Sequence, residues 1–504
     1  MSRLFRGSLL FSLGILLSRI LGYLRDAAIA YYFGASHISD AFFIAFRIPN
    51  AFRRIFGEGG FNAVFIPLYG EKLKEKREKE FLSKVLGILL LLSLSMVTLG
   101  VIFSPIIVSL IAPGIKNKET YTYAVEFLRF TFFYLILVSL YAFTMAVLMV
   151  RGLFFVPSVS QALFNLFFII SLILFVPELE GYALVVGVLI GGLFQIVPNL
   201  FLFFKLESIV KPYLRIDEEI KTFLKRFFLT LGSFSANQLS LFIDTFLASF
   251  LKVGSISYVY YASRIYLLPI SLFSISVSNT FLAVVSSGEG KGENLKNGVK
   301  LILLLTVPSS AGLYILSEEI VSILYKRGSF AEEDLLYTSS ILSIYALSVP
   351  FYSLQHLFKS FFYSQGDVRT PVNASFLGVF VDGFVASTLI FIFGYGVMAF
   401  SVGALISSIF SLLYLYTRMK ISFLPSTSFL VKVLLSTLFM SLFIFLVKNT
   451  LANPTVEVFL IPVFGLLYFL FLFLLREDTT VKLIKYGIFG RDKGFKREGN
   501  QQFP

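Results

Sequence analysis

Fourteen stretches of nearly continuous apolarity constrain this chain more than any other feature. They fall at 8–33, 38–57, 84–112, 121–150, 157–176, 181–205, 222–250, 255–286, 299–317, 334–364, 371–393, 396–417, 426–448 and 455–475. About 20 apolar residues cross the hydrocarbon core of a bilayer as a helix. Runs this long are not the ten-residue alternation of a membrane barrel. A soluble fold is excluded as well, because 57% of the 504 residues are apolar and only 14% are charged, too few to cover such a surface. The sequence predicts an all-α polytopic membrane protein with 14 transmembrane helices. The first run is too long and too polar for a cleaved signal peptide, and no small-residue cleavage site follows it.

Several chemistries drop out. There is no cysteine, hence no disulfide, thiolate metal site or Cys nucleophile. His37 and His356 are too few for a histidine-built zinc site. The stretch Ser286-Ser-Gly-Glu-Gly-Lys-Gly292 lacks P-loop spacing, and neither H-E-x-x-H nor G-x-S-x-G occurs. The chain reads as a transporter, not an enzyme, driven by an ion gradient, the membrane potential or the substrate's own gradient. The formal charge of +13 belongs to loops that face anionic lipid, not to nucleic acid. With the N-terminus inside, inside segments hold thirty Lys and Arg and outside loops six. The bias places both termini in the cytoplasm. The sign-alternating segment Glu71–Lys84 reads as a solvated surface helix. Ser317–Arg327 reads as an interfacial helix through Ile320, Val321 and Leu324.

The chain echoes itself. Gly34 opens GASHISDAFFIAFRIP and Gly254 opens GSISYVYYASRIYLLP. Ala45, Arg47 and Ile48 return as Ala262, Arg264 and Ile265, an offset of 217, and Asp26 and Asp244 precede the two glycines by 8 and 10 residues. Two six-helix units over 1–215 and 216–420 follow, with two further helices over 421–478 and a basic tail over 479–504. Transporters built from such repeats hold substrate between them.

Ionisable groups inside apolar spans cost about 2.5–3.5 kcal/mol each at the bilayer centre, so they mark function or pairing. They are Arg19, Arg25 and Asp26; Asp40, Arg47, Arg53, Arg54 and Glu58; Glu126 and Arg129; Asp244, Arg264 and Asp382. Asp40, Arg47 and Arg54 lie seven apart on one helical stripe, and Arg53 points to another side. Pro49 and the Gly57–Gly60 run should bend or break that helix. Arg53 and Arg264 read as ligands for a diphosphate, which suits planar bidentate donors. Arg47, Arg129 and Asp40 read as helix staples, and Arg19 and Arg25 fit either role, with Asp26 a ready partner. Asp244 and Asp382 are lone carboxylates near Asn237 and Ser401, a set that binds Na+ or holds a titrating proton, or else carries protonated or helix-capping acids.

The runs Ser18-Arg-Ile-Leu-Gly-Tyr-Leu-Arg-Asp26, Phe33-Gly-Ala, Asp40-Ala-Phe-Phe, Pro49-Asn50 and Arg53-Arg-Ile-Phe-Gly-Glu-Gly59 resemble the MurJ (MviN) family of lipid II flippases. So do Pro157 with Asn165, Tyr260-Tyr-Ala-x-Arg264 with Pro269, and Phe362-Tyr-Ser-x-x-Asp-x-x-Thr-Pro371. The resemblance implies two six-helix lobes in a V around a cationic cavity, plus two extra C-terminal helices forming a groove for the prenyl tail. It implies lipid II as substrate, membrane lipids as surroundings, a monomer and the bacterial inner membrane. It assigns Arg19, Arg25, Arg53 and Arg264 to the diphosphate and Asp26, Asp40, Glu58 and Asn165 to support or gating. It adds a sodium site at Asp244, Asp382, Val397 and Ser401. The chain departs from the family at Ser263 and Leu267, where many relatives carry acids, and at Ala386, where some carry a second carboxylate. Two other transport readings remain at this point: a flippase for another polyprenyl-diphosphate sugar, and a cation-coupled drug exporter. A third reading is a non-transporting scaffold in cell-wall assembly.

Overall fold

The computed structural model describes residues 3–57, 60–207, 210–233, 235–286, 290–419, 425–451 and 453–481. Regular structure among them is helical throughout. Helices α1 (Arg3–Phe33), α2 (His37–Gly57), α3 (Gly60–Lys74), α4 (Glu78–Ile102), α5 (Ser104–Ile111), α6 (Lys118–Thr131) and α7 (Tyr134–Val150) come first. Next are α8 (Phe155–Leu179), α9 (Tyr182–Glu207), α10 (Glu218–Ser233), α11 (Ser235–Ala248) and α12 (Ser255–Pro269). A π turn (Ile270–Ser274) leads into α13 (Ile275–Ser286), α14 (Lys291–Ile315), α15 (Ser317–Tyr325) and α16 (Glu332–Tyr363). Last are α17 (Arg369–Phe391), α18 (Met398–Arg418), α19 (Thr427–Leu451), α20 (Pro454–Phe459) and α21 (Ile461–Leu474).

Every expected span falls on helix. Ten helical stretches among the described residues are long and apolar enough to cross a membrane. The other spans fall on helices that are charged (α1, α2) or interrupted (α10 with α11, α20 with α21). The interruptions have local causes. Pro105 opens α5 after α4 ends, where its missing N–H costs nothing. Pro269 removes a donor at the end of α12, and the π turn begins at the next residue. Asn117 caps α6 and Asn453 caps α20, each accepting from two backbone amides. α2 runs through Pro49 as one helix and ends at Gly57, the start of the glycine run.

The chain packs as two compact units. The first comprises 1–266, 321–345 and 371–411. Its aromatic core joins Phe61, Phe65, Tyr69, Phe81, Phe143 and Phe223. Gly192 faces the ring of Tyr134 where a Cβ would come within 2.7 Å, the close approach that small residues give membrane helices. The segment read as a solvated helix is different here. α3 ends at Lys74 and α4 starts at Glu78. Lys84 is 1% exposed and bonds Asp217 at 2.6 Å, with Glu80 on its other side. Lys72 and Arg77 hold Glu219 at 2.9 and 3.3 Å. The alternating charges therefore clamp the start of α10 instead of merely being solvated.

The second unit comprises 267–320, 346–370 and 412–504. There α19 and α21 pack with α14. Tyr468 donates to the Leu304 carbonyl at 2.9 Å, and Phe439 stacks on Phe471 at 4.5 Å. Glu319 on α15 pairs with Lys448 on α19 at 2.6 Å. Of the apolar face expected on α15, Ile320 belongs to this unit and is buried.

Candidate functional site

Within the first unit, α1, α8 and α12 bring four of the expected site residues together. Asp26 is 2% exposed. Its Oδ1 accepts from Arg25 Nη2 at 2.7 Å and Nε at 3.1 Å. Its Oδ2 lies 3.1 Å from Arg264 Nε. Arg25 Nη1 donates to Asn165 Oδ1 at 3.0 Å, and the Asn165 amide donates to the Ser18 carbonyl at 3.0 Å. Asn165 thus ties the guanidinium of α1 to α8.

Tyr260 completes the cluster and was missed as a functional residue, although it opens the motif that ends in Arg264. Its hydroxyl accepts from Arg264 Nη2 at 2.6 Å and donates to Asp26 Oδ1 at 3.2 Å. Its ring stacks on Phe43 of α2 at 3.8 Å and lies 4.6 Å from the Arg264 guanidinium. Tyr23 donates to the Arg264 carbonyl at 2.8 Å. Two arginines thus share one buried carboxylate, which leaves a surplus positive charge. Arg264 Nη1 makes no bond among the described residues, and guanidinium carries five N–H donors. A cluster of this kind can accept an anion with two or more oxygens.

The remaining arginines lie outside this bonded group. Arg19 is two turns before Asp26 on the same face of α1 and is exposed. Arg53, half-buried on α2, donates from Nε to Asn50 Oδ1 at 3.0 Å. Arg129 donates to Ser104 Oγ at 3.1 Å, the stapling role expected of it. Arg47 departs from its expected stapling role, because its Nε is buried with no acceptor. Glu58 lies outside the described residues.

Asp40 staples in an unexpected way. It pairs with no arginine and instead caps α12. Its Oδ2 accepts from Gly254 N at 2.7 Å; its Oδ1 accepts from Ser257 N at 2.9 Å and Ser257 Oγ at 2.6 Å. These amides belong to the open first turn of α12, where a carboxylate also meets the positive end of the helix dipole. Ser39 and Ser257 hydroxyls meet at 2.9 Å. Asp334 adds a second bridge, accepting from Ala35 N at 3.2 Å, Ala331 N at 3.0 Å and Tyr258 OH at 3.1 Å. Gly254 takes φ +91°, and a Cβ there would stand 2.6 Å from the Ala35 carbonyl. The segments around 31–40, 254–261 and 328–334 therefore lock one end of this unit shut.

The two lone carboxylates of α11 and α17 also come near each other. Asp382 on α17 is buried among its neighbours and lies within the field of Asp244 on α11. Ser240 donates to Asp382 Oδ2 at 3.3 Å, while Oδ1 is buried without a partner. Gly403 of α18 backs that oxygen, and a Cβ there would come within 2.7 Å of it. Val397 and Ser401 open α18 and are buried, but Ser401 Oγ donates to the Met398 carbonyl of its own helix. No group of three His, Cys, Asp or Glu fit to hold a metal occurs among the described residues. Asn237 lies where side chains are not described.

Known proteins of this kind are close at hand. The family model described as lipid II flippase MurJ matches residues 29–465. A probable lipid II flippase MurJ of Aquifex aeolicus is 59% identical over 500 residues, covering 99% of this chain and all of the relative. A solved structure described as lipid II flippase MurJ in an inward closed conformation is 31% identical, with a TM-score of 0.82 over 94% of this chain and all of the other. An inward-facing multidrug resistance transporter of the MATE family matches at 17% identity with a TM-score of 0.64, covering 79% of this chain and 94% of its own. That last likeness concerns the fold alone.

Proposed function

We propose, for a chain that belongs to the lipid II flippase MurJ family, that it moves lipid II from the inner to the outer leaflet of a bacterial inner membrane by alternating access. It is a transporter and neither a hydrolase nor an ATPase. One observation carries the substrate reading: Arg25 and Arg264 share a single buried carboxylate and keep spare donors. A diphosphate has the charge and the paired oxygens to fill them. Asp26 holds the two guanidiniums in fixed directions, and Asn165 and Tyr260 set their planes. Arg19 and Arg53 add positive charge along α1 and α2.

The locked end at Gly34 and Gly254 is the outer gate, with both termini in the cytoplasm. Lipid II enters from the inner leaflet with its diphosphate on the arginines. The bonds of Asp40 to α12 and of Asp334 to Ala35 then break, the repeats over 1–215 and 216–420 rock, and the headgroup leaves outward. No covalent bond changes. The prenyl tail stays in lipid along the helices of 421–478, and one copy of the chain suffices.

Asp244 and Asp382 fit a coupling cation, Na+ or H+. The orphaned Asp382 oxygen and the neighbouring Ser240 hydroxyl are hard oxygen donors, and the Val397 carbonyl and Ser401 would complete the set. A bound cation would supply the positive charge that two adjacent carboxylates lack.

Complementation tests the reading in cells depleted of their own lipid II flippase. Wild type should restore growth, and Arg53→Ala and Arg264→Ala at equal expression should not. Failure of well-inserted wild type would point to a different polyprenyl-diphosphate sugar. Rescue by both variants would remove the arginines from the transport step.

A further inference from the structure

The repeat assigns each key residue a counterpart. Gly34 and Gly254 both take positive φ, +56° and +91°, just before α2 and α12. Arg47 holds in α2 the place that Arg264 holds in α12. Arg264 pairs with Asp26, on the helix that precedes α2. The reciprocal acid is Asp244, on the helix that precedes α12. One cross-repeat pair is closed in this structure as an ion pair, with Arg264 Nε 3.1 Å from Asp26 Oδ2 though off hydrogen-bond geometry.

Its counterpart is open. α2 and α11 pack together, and Arg47 and Asp244 act on each other as opposite charges. Yet no ion pair of 4 Å or less joins them, and Arg47 Nε is buried without an acceptor. Beside them Asp382 Oδ1 is buried without a donor. Two carboxylates thus face the one guanidinium of Arg47, while Arg54 and Arg264 act on that guanidinium as like charges. Buried polar atoms rarely stay unpaired, so this arrangement is poised between two ways of closing.

We propose that Arg47 and the coupling cation compete for Asp244. With a cation between Asp244 and Asp382, Arg47 stays released. When the cation leaves, the Arg47 guanidinium closes on Asp244 and draws α2 toward α11. α2 also carries Asp40 and Arg53, so the exchange acts on the helix that holds both the gate cap and a substrate arginine. Arg47 is a positioning residue in this scheme, and it rests on the cation reading of the Asp244–Asp382 pair. Competition of this kind is reciprocal: whatever docks Arg47 weakens the cation, and the reverse.

The test is equilibrium 22Na+ binding to the purified full-length chain in lipid nanodiscs. Arg47→Met should raise Na+ affinity at least tenfold, Arg47→Lys should stay near wild type, and Asp244→Asn should abolish binding. If the Met variant does not fold, as judged by its melting transition, Arg47→Gln serves in its place and should shift affinity in the same direction. Wild-type binding with unchanged affinity in the Met or Gln variant would overturn the competition and leave the cation site standing. No Na+ binding by wild type between pH 6 and 8 would remove a sodium site and the competition with it. Binding that shifts in the charge-removing variants alone would establish the exchange.

Discussion

Replacing Asp40 by Asn should unlock the closed end without emptying the site. The carboxylate accepts three hydrogen bonds, at 2.7, 2.9 and 2.6 Å, from the first turn of α12. Asn keeps the shape but offers one acceptor oxygen. With that oxygen on Ser257, its amide nitrogen must face Gly254 N–H, donor against donor. The substitution therefore loses one charge-assisted bond, worth about 1.5–3 kcal/mol, and the charge that meets the helix dipole, about 0.3–1 kcal/mol. In the open state water solvates both side chains, so most of that loss falls on the closed state. A shift of about 2–4 kcal/mol moves the closed-to-open ratio by roughly 30- to 1,000-fold. The chain has no cysteine, so spin labels at Lys118→Cys and Glu332→Cys, both exposed, report this end alone. Pulsed electron–electron resonance should show a single short distance with Asp40 intact and a dominant longer one with Asn. An unchanged distribution in the Asn variant would mean the cap does not hold the gate, and Asp334 would have to carry it.

Tyr260→Phe should weaken substrate binding by roughly 10- to 100-fold, since it strips one charge-assisted partner from Arg264 and one bond from Asp26; lipid II binding to purified protein reads this, and wild-type affinity would reduce the hydroxyl to a packing role. Gly254→Ala should destabilise the closed end by about 1–3 kcal/mol, because φ +91° and the Ala35 carbonyl both oppose a Cβ; the same spin-label pair should show more open population. Lys84 holds the Asp217 carboxyl below its usual range, and its contribution to stability follows that direction. Its contribution is present above about pH 3.9 and is lost as pH falls through the depressed value, so the clamp on α10 should loosen first in acid.

The helices were legible because apolarity over some 20 residues leaves the backbone no other way to satisfy itself in lipid. Their interruptions were less so: helices end or change at Pro105 and Pro269, yet α2 continues through Pro49. A proline fixes one dihedral and removes one donor, and only the packing around it decides whether the chain turns. Arg25, Asp26, Asn165 and Arg264 were legible from the cost of charge in a span and from the motifs around them. Tyr260 was not, because a tyrosine in a chain with 25 of them carries no cost that singles it out. Asp40 was read as one member of an arginine stripe. A helical wheel ranks neighbours on its own helix and is blind to an amide 214 residues away. Lys84 was read as solvated for the same reason, its partners Asp217 and Glu219 lying across a linker.

Two buried carboxylates of the first unit take partners far along the chain: Asp26 of α1 meets Arg264 of α12, and Asp40 of α2 caps α12. In the proposed scheme the two sides of these contacts belong to different halves, 1–215 and 216–420. If each half moves as a body, every rocking step must exchange buried partners rather than stretch a bond, because a carboxylate or guanidinium left alone in a span is too costly to persist. The open Arg47–Asp244 pair has the form such an exchange requires: a charge already released and held within reach of its acid. A transporter that hands charges between halves in this way has few stable arrangements and many costly ones. In the proposed scheme it therefore moves between discrete states, and substrate or the coupling cation would select among them by filling the vacancy that each state leaves.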